Sequence, residues 1–408
     1  MKFQKSFLYI FLLSFSVLIS QIKDPSSIYR KEKDKINNLV HTKLKVDFNF
    51  EKKELNGEEW VTLSPHFYPT NEVVLDAKAM IIKTITLDDE NLSYSYDGYQ
   101  ITIELPKEFN KGEEYTLYIK YTARPEKVKK KGSIAITAAK GLYFINSTGI
   151  DPKKPTQIWT QGETEASSCW FPTIDSPNQK TSQEIYITVP DKFKTLSNGT
   201  LVSQKNIGTN RTDYWKFNQK HAPYLFFMGI GEYEIIEDSH KNIPVNYYVE
   251  KKYATLAKDI FGLTPEMIGF FENILGVAYP WSKYSQIVAR DYVSGAMENT
   301  TAVIHGEAAY QMKGQLIDEN RHENTIAHEI FHHWFGNLVT SESWSNLTLN
   351  ESFANYSQYL WREYKYGKKN ADAHLFENSK AYKDDTDNFE KNLVRFYYDD
   401  KEDMFDLI

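Results

Sequence analysis

Residues 328–337 read HEIFHHWFGN, three histidines and a glutamate inside six positions. His328 and His332 are four residues apart, about 400° on a helix, so both imidazoles leave one face a single turn apart. Two imidazoles so placed can share one cation, and zinc favours such nitrogen ligands. Glu329 lies on the adjoining face, where a carboxylate can take a proton from a metal-activated water without displacing a ligand. His333 lies about 100° further round and is assigned to packing or to support of the site. The competing reading is a pair of partly buried helix histidines; with 10 histidines in the chain, the motif does not decide alone.

A third ligand separates the readings. In the glycine-interrupted motif a third histidine follows, but here Phe335 stands at the required glycine and Leu338 at the required histidine. The other solution is a glutamate from a following helix. Glu351 in LNESFANY fits, with eighteen residues between it and His332. His328, His332 and Glu351 would leave a fourth position open for water, the catalytic arrangement rather than the closed structural one.

HExxH, eighteen residues, then Asn-Glu resembles the gluzincin aminopeptidases, the family of aminopeptidase N and leukotriene hydrolase. Three further blocks carry the resemblance: WFGNLVT at Trp334–Thr340, GAMEN at Gly295–Asn299, and TQGETEASSCWFPTIDSP at Thr160–Pro177. It extends from about residue 40 to the end of the chain. It implies a zinc metallo-aminopeptidase with one zinc ion per chain, acting on peptides with a free N-terminus. An α-amino group is cationic near neutral pH because its pKa is about 8, so carboxylates beside the metal can hold it. The resemblance gives that part to Glu298 first and Glu163 second, with Glu351 contributing through its free oxygen. Outside this context both would read as surface-loop carboxylates. Gly295 and Ala296 have little or no side chain, so their backbone can lie along the substrate as an added strand. Met297 and Asn299 complete that block, and Gln161 is expected to line the substrate site rather than touch the metal. Glu163 stands where leukotriene hydrolase-like members tend to have an amide, which favours plain peptide hydrolysis.

The chain also departs from the family. The tyrosine that donates to the oxyanion is expected about sixty residues after the glutamate ligand, just past Ile408; Tyr397 and Tyr398 are the nearest candidates within the chain. The expectation is therefore an N-terminal fragment, truncated within its catalytic domain, with the family's C-terminal helical domain absent. Ser352 replaces a glycine, and Gln358 stands where relatives often have glutamate, a weaker partner for a metal ligand. Two alternatives to the aminopeptidase are a zinc endopeptidase and a catalytically incomplete peptide-binding homologue. GAMEN and Glu163 count against the first, the metal triad and Glu329 against the second.

The elements that must position these residues fall into two textures. From about Lys43 to Pro190 the chain alternates as strands do: KLKVDFNF places Leu44, Val46, Phe48 and Phe50 on one face. Asn56-Gly57 and Asn198-Gly199 read as hairpin turns. After Pro244 helical spacing takes over. One helix is predicted through ATLAKDIFGLTPEMIGFFENILG, one from about Glu319 to Gly336 around HExxH, and one through NESFANYSQYLWREYKYG to Gly367. The fold class is multidomain α+β: a signal peptide at 1–20, an all-β domain at 21–238, and a zinc domain at 239–408. The resemblance makes the first domain saddle-like and antiparallel and the second thermolysin-like α/β.

The first twenty residues pair Lys2 and Lys5 with an apolar run from Phe7 to Ile19, the layout of a secretory signal and short for a bilayer span. Export to a periplasm or the cell exterior is expected, with no stable membrane span unless that segment is retained. The net charge of -7 argues against a nucleic-acid partner. Lys127–Gly132 reads as a solvated loop. Cys169 is the one cysteine, so the chain forms no internal disulfide.

Overall fold

A computed structural model describes residues 29–129, 132–133, 135–384, 392–398 and 400–407. The amino-terminal apolar run and part of the Lys127–Gly132 run lie outside the described residues. An eight-stranded sheet organises the first half. Its order is Thr200–Ile207, Asn210–His221, Thr181–Pro190, Asn37–Asn49, Glu54–Pro65, Tyr115–Ala123, Met80–Leu87 and Glu90–Asn91. The pairings are antiparallel except at the centre, where Asn37–Asn49 runs parallel to Thr181–Pro190. Leu44 and Val46 are buried as the alternation requires, and Phe48 and Phe50 pack at the margin of the same core. Sheets of four and three strands complete this all-β region.

Both Asn-Gly pairs do something other than turn a hairpin. Asn56 and Gly57 lie inside the strand Glu54–Pro65. A Cβ at Gly57 would come within 2.2 Å of the Tyr121 ring, so the glycine is there to seat that buried phenol. Asn198-Gly199 joins Lys194–Ser197 to Thr200–Ile207, strands of two different sheets. Gly199 has φ +74, and a Cβ there would meet the Lys216 carbonyl at 2.0 Å.

Glu59 sits in the core of the eight-stranded sheet, fully buried, with neither carboxylate oxygen partnered among the described residues. Burial pushes its pKa well above the ordinary carboxylate range. A raised folded-state pKa gives stability that is fully present below the unfolded pKa and is lost as pH rises toward the folded value. Glu59→Gln should therefore match the parent near pH 4 and exceed it above pH 5, by on the order of 1 kcal/mol per pH unit until the native carboxyl ionises. Denaturant unfolding at pH 4, 6 and 8 reads this directly; a constant difference across that range would refute it.

The second half is α/β. A five-stranded sheet runs Glu234–His240, Ile243–Val249, Tyr284–Ala289, Ala302–Gly306 and Ala296–Met297, with parallel pairing through its middle. Because Glu234–His240 pairs with Ile243–Val249, this sheet begins four residues before the boundary placed at 238. The first expected helix is broken into Ala257–Phe261 and Thr264–Leu275, since Pro265 lacks the N–H a continuous helix needs. The HExxH helix spans Glu323–Phe331, shorter at both ends than its spacing predicts. The helix Thr348–Tyr366 ends at Gly367 as expected.

Candidate active site

His328 and Glu329 project from the last turn of the helix Glu323–Phe331, and His332 from the residue that caps it. The Nε2 atoms of His328 and His332 stand 2.9 Å apart. Glu351, in the first turn of the helix Thr348–Tyr366, places Oε2 3.4 Å from the former and 3.7 Å from the latter. Donors on a tetrahedron about 2.0–2.1 Å from its centre stand about 3.3 Å apart, and these three spacings bracket that value. His332 Nδ1 faces the Phe335 carbonyl at 3.0 Å, which fixes its proton there and leaves Nε2 a lone pair. His328 Nδ1 stands 3.4 Å from the Gln358 side-chain amide. Two imidazole lone pairs and a carboxylate oxygen converging on one point fit a zinc ion.

Glu329 is buried, with Oε2 unpartnered, and together with Glu298 and His332 offers donor atoms within 4.8 Å of one another. Glu163, Glu298 and Glu351 form a second such group. Burial, then the neighbouring Glu298 and Glu351, pushes the Glu163 carboxyl well above its usual range. Burial raises Glu298 and Glu329 too, against the pull of His332. His332 is raised as well: burial lowers it, but Glu298 and Glu351 outweigh burial and bring it to about 10. A dication at this point would draw the carboxylate values back down.

These groups line a cavity of about 280 Å³ with Gly295, Ala296, Met297, Ile136 and Phe405. Among the described residues Ala296–Met297 is the edge strand of its sheet, pairing with His305 and Ile304 alone, and a Cβ at Gly295 would meet open space. Two expected residues stand off the cavity. Gln161 is buried behind it, donating to Met297 Sδ at 3.3 Å and accepting from the Tyr292 hydroxyl at 2.7 Å. Asn299 is wholly buried, and its carbonyl closes a turn with the Ala302 N–H. No tyrosine lines the cavity among the described residues. Tyr397 is exposed against Tyr29, and Tyr398 lines a separate cavity with Arg30 and Trp344.

Residues 37–225 match the Peptidase M1 N-terminal domain, and residues 260–408 match the Peptidase family M1 domain. The chain belongs to peptidase family M1. A probable aminopeptidase 2 of Sulfurisphaera tokodaii is 26% identical over 313 residues, 76% of this chain and 37% of that protein. Glutamyl aminopeptidase of Bos taurus is 31% identical over 199 residues, 47% of this chain and 20% of its own. The M1 chain thus spans well under half the length of these relatives. An M1 zinc metallopeptidase structure from Deinococcus radiodurans superposes with a TM-score of 0.70 over 92% of this chain and 80% of that one, at 17% identity, a likeness of fold.

Within the M1 chain, the family blocks beyond the ligands act on one another. In WFGN, Gly336 has φ +126, and a Cβ there would press to 3.0 Å on His332 Nδ1. Asn337 donates its side-chain N–H to the Glu298 carbonyl at 2.9 Å. His333 donates from Nδ1 to the Glu329 carbonyl at 3.1 Å and accepts the Thr301 N–H on Nε2 at 3.1 Å, a supporting role as its position implied. Spacing missed Tyr224, whose hydroxyl reaches Glu298 Oε1 at 3.4 Å from 74 residues away. It also missed Asn355 and Phe405 in the cavity wall. For Asn355 the signal was available, since it lies one helical turn beyond Glu351.

Proposed function

We propose that this M1 chain carries the active site of an exported zinc aminopeptidase that removes the first residue of peptides. Zinc bound by His328, His332 and Glu351 would supply Lewis-acid polarisation of the scissile carbonyl and a lowered pKa, near 7, for the attacking water. Glu329 accepts that water's proton and returns it to the departing amine. Glu298 and Glu163 hold the substrate's ammonium, and the edge strand Ala296–Met297 aligns the first peptide bond beside the histidines. The observation that carries this reading is the position of Glu298. Its carboxylate lies within 4.8 Å of ligand atoms of both Glu351 and His332, where it can hold a substrate ammonium beside the metal ligands. Lys2, Lys5 and the apolar run that follows support export.

Amino-acid arylamides, compared with the same compounds acylated on the amine, test the reading. Cleavage should need the free amine. In Glu298→Ala, kcat/KM for the free-amine compounds should fall by about 10²–10³, the loss of a buried ion pair and of substrate register. Equal cleavage of blocked and free compounds would make the protein an endopeptidase.

A further inference from the structure

Glu298 opens the four-residue loop between the edge strand Ala296–Met297 and the strand Ala302–Gly306. That loop closes through the Ala302 N–H on the Asn299 carbonyl at 2.8 Å, with Thr301 at φ +68. A tight turn with positive φ at its third residue normally carries glycine or asparagine there, and a β-branched threonine resists that conformation. Five contacts hold Thr301 in it, one of them the Ser285 N–H donating to its carbonyl at 3.0 Å. Its N–H donates to His333 Nε2 at 3.1 Å, and its hydroxyl accepts the Gly199 N–H at 2.8 Å. Lys283 Nζ donates to the Thr301 carbonyl at 2.9 Å and to its hydroxyl at 3.0 Å.

Lys283 is only 5% exposed, and its third donor is spent on the Ser197 carbonyl at 2.9 Å. The chain thus buries an amine, with three oxygens around it, to brace one strained residue three positions from Glu298. We infer that Lys283 is a positioning residue for amine recognition: it holds Thr301 in the left-handed conformation and so fixes the direction of the Glu298 carboxylate. A hairpin loop sets which way its first residue points, and relaxing Thr301 to negative φ would turn Glu298 out of line with the metal ligands. The inference rests on the aminopeptidase reading for its consequence, but the brace itself is a property of the loop.

Lys283→Met tests it, because methionine keeps the length of the side chain and removes its donors. KM for an alanine arylamide should rise about tenfold, with zinc still at one ion per chain and kcat changed less than KM. In a Glu298→Ala background the same substitution should change KM less than twofold, since the group it positions is gone. An equal rise in both backgrounds would overturn the inference. Adding Thr301→Gly to Lys283→Met should recover most of the lost KM, because glycine adopts this φ unaided; no recovery counts against it. Amide exchange at Ala302 gives a reading independent of turnover. It should speed by at least about tenfold in Lys283→Met while the rest of the strand Ala302–Gly306 keeps its protection. Unchanged exchange at Ala302, or a rate that rises through the whole domain because the variant is unfolded, would sink the brace. If the parent chain cleaves no free-amine compound, the aminopeptidase reading fails and this exchange result still decides the brace.

Discussion

Glu329→Gln should lower kcat on free-amine arylamides by about 10³–10⁴ while zinc stays at one ion per chain and KM moves little. The amide preserves the shape of the side chain and removes the only function proposed for it, proton acceptance. Glu329 lies in the last turn beside both histidines, yet His328, His332 and Glu351 already form a complete donor set without it. Its loss should therefore spare the metal. Among the described residues Oε2 has no hydrogen-bond partner, so no protein donor competes for that oxygen. Glu298 is the nearest competing base, because it shares the 4.8 Å neighbourhood of His332. Retention of activity within tenfold in Glu329→Gln, with loss in Glu298→Gln, would move the proton transfer to Glu298.

The second large effect concerns the donor set. Glu351→Gln should weaken zinc binding by about 10²–10⁴, as one of three protein donors accounts for roughly a third of a binding free energy of ~10–16 kcal/mol. The reason is electrostatic as well as geometric. Burial disfavours charge on Glu351, but His332 and His328 hold its carboxyl far below the usual range, so an anion is the form that faces them. A neutral amide there leaves the two imidazole nitrogens, 2.9 Å apart, without an anionic ligand to complete the set. Thermal unfolding shows the effect without any substrate. Zinc at a thousand times its dissociation constant stabilises the native state by about 4 kcal/mol, and at the same zinc concentration Glu351→Gln should cut that rise to about 1.4 kcal/mol or less. A rise of the same size in parent and variant would remove Glu351 from the site.

What could be read beforehand follows from how far each signal travels along the chain. His328, Glu329 and His332 sit within one helical turn, so their spacing already states their geometry, and Glu351 is reached by one short connection. Alternation in KLKVDFNF likewise placed Leu44 and Val46 inside. Asn56-Gly57 misled because the demand on Gly57 comes from Tyr121, sixty-four residues on. Pro265 broke a helix whose apolar spacing continues across it. Glu234–His240 has exposed and half-exposed residues throughout, so nothing in its pattern tied it to the second sheet; only its pairing with Ile243–Val249 does. Lys283, Tyr224 and Thr301 belong to the same class as Gly57. Each is ordinary in its own stretch and acts through a partner from a distant one.

The parallel pairing at the centre of the eight-stranded sheet has a consequence for how the chain is made. His41 and Ser182, whose side chains meet at 2.7 Å, are 141 residues apart. The hairpin of Asn37–Asn49 and Glu54–Pro65 can form early, but one edge of it waits for Thr181–Pro190. At about 5–20 residues per second a ribosome needs roughly 7–28 s to deliver that partner. Through that interval the nascent chain presents an open, half-apolar strand edge, the kind of surface that pairs with other chains. Lys43 and Lys45 alternate along that strand, charges of the kind that discourage pairing with other chains.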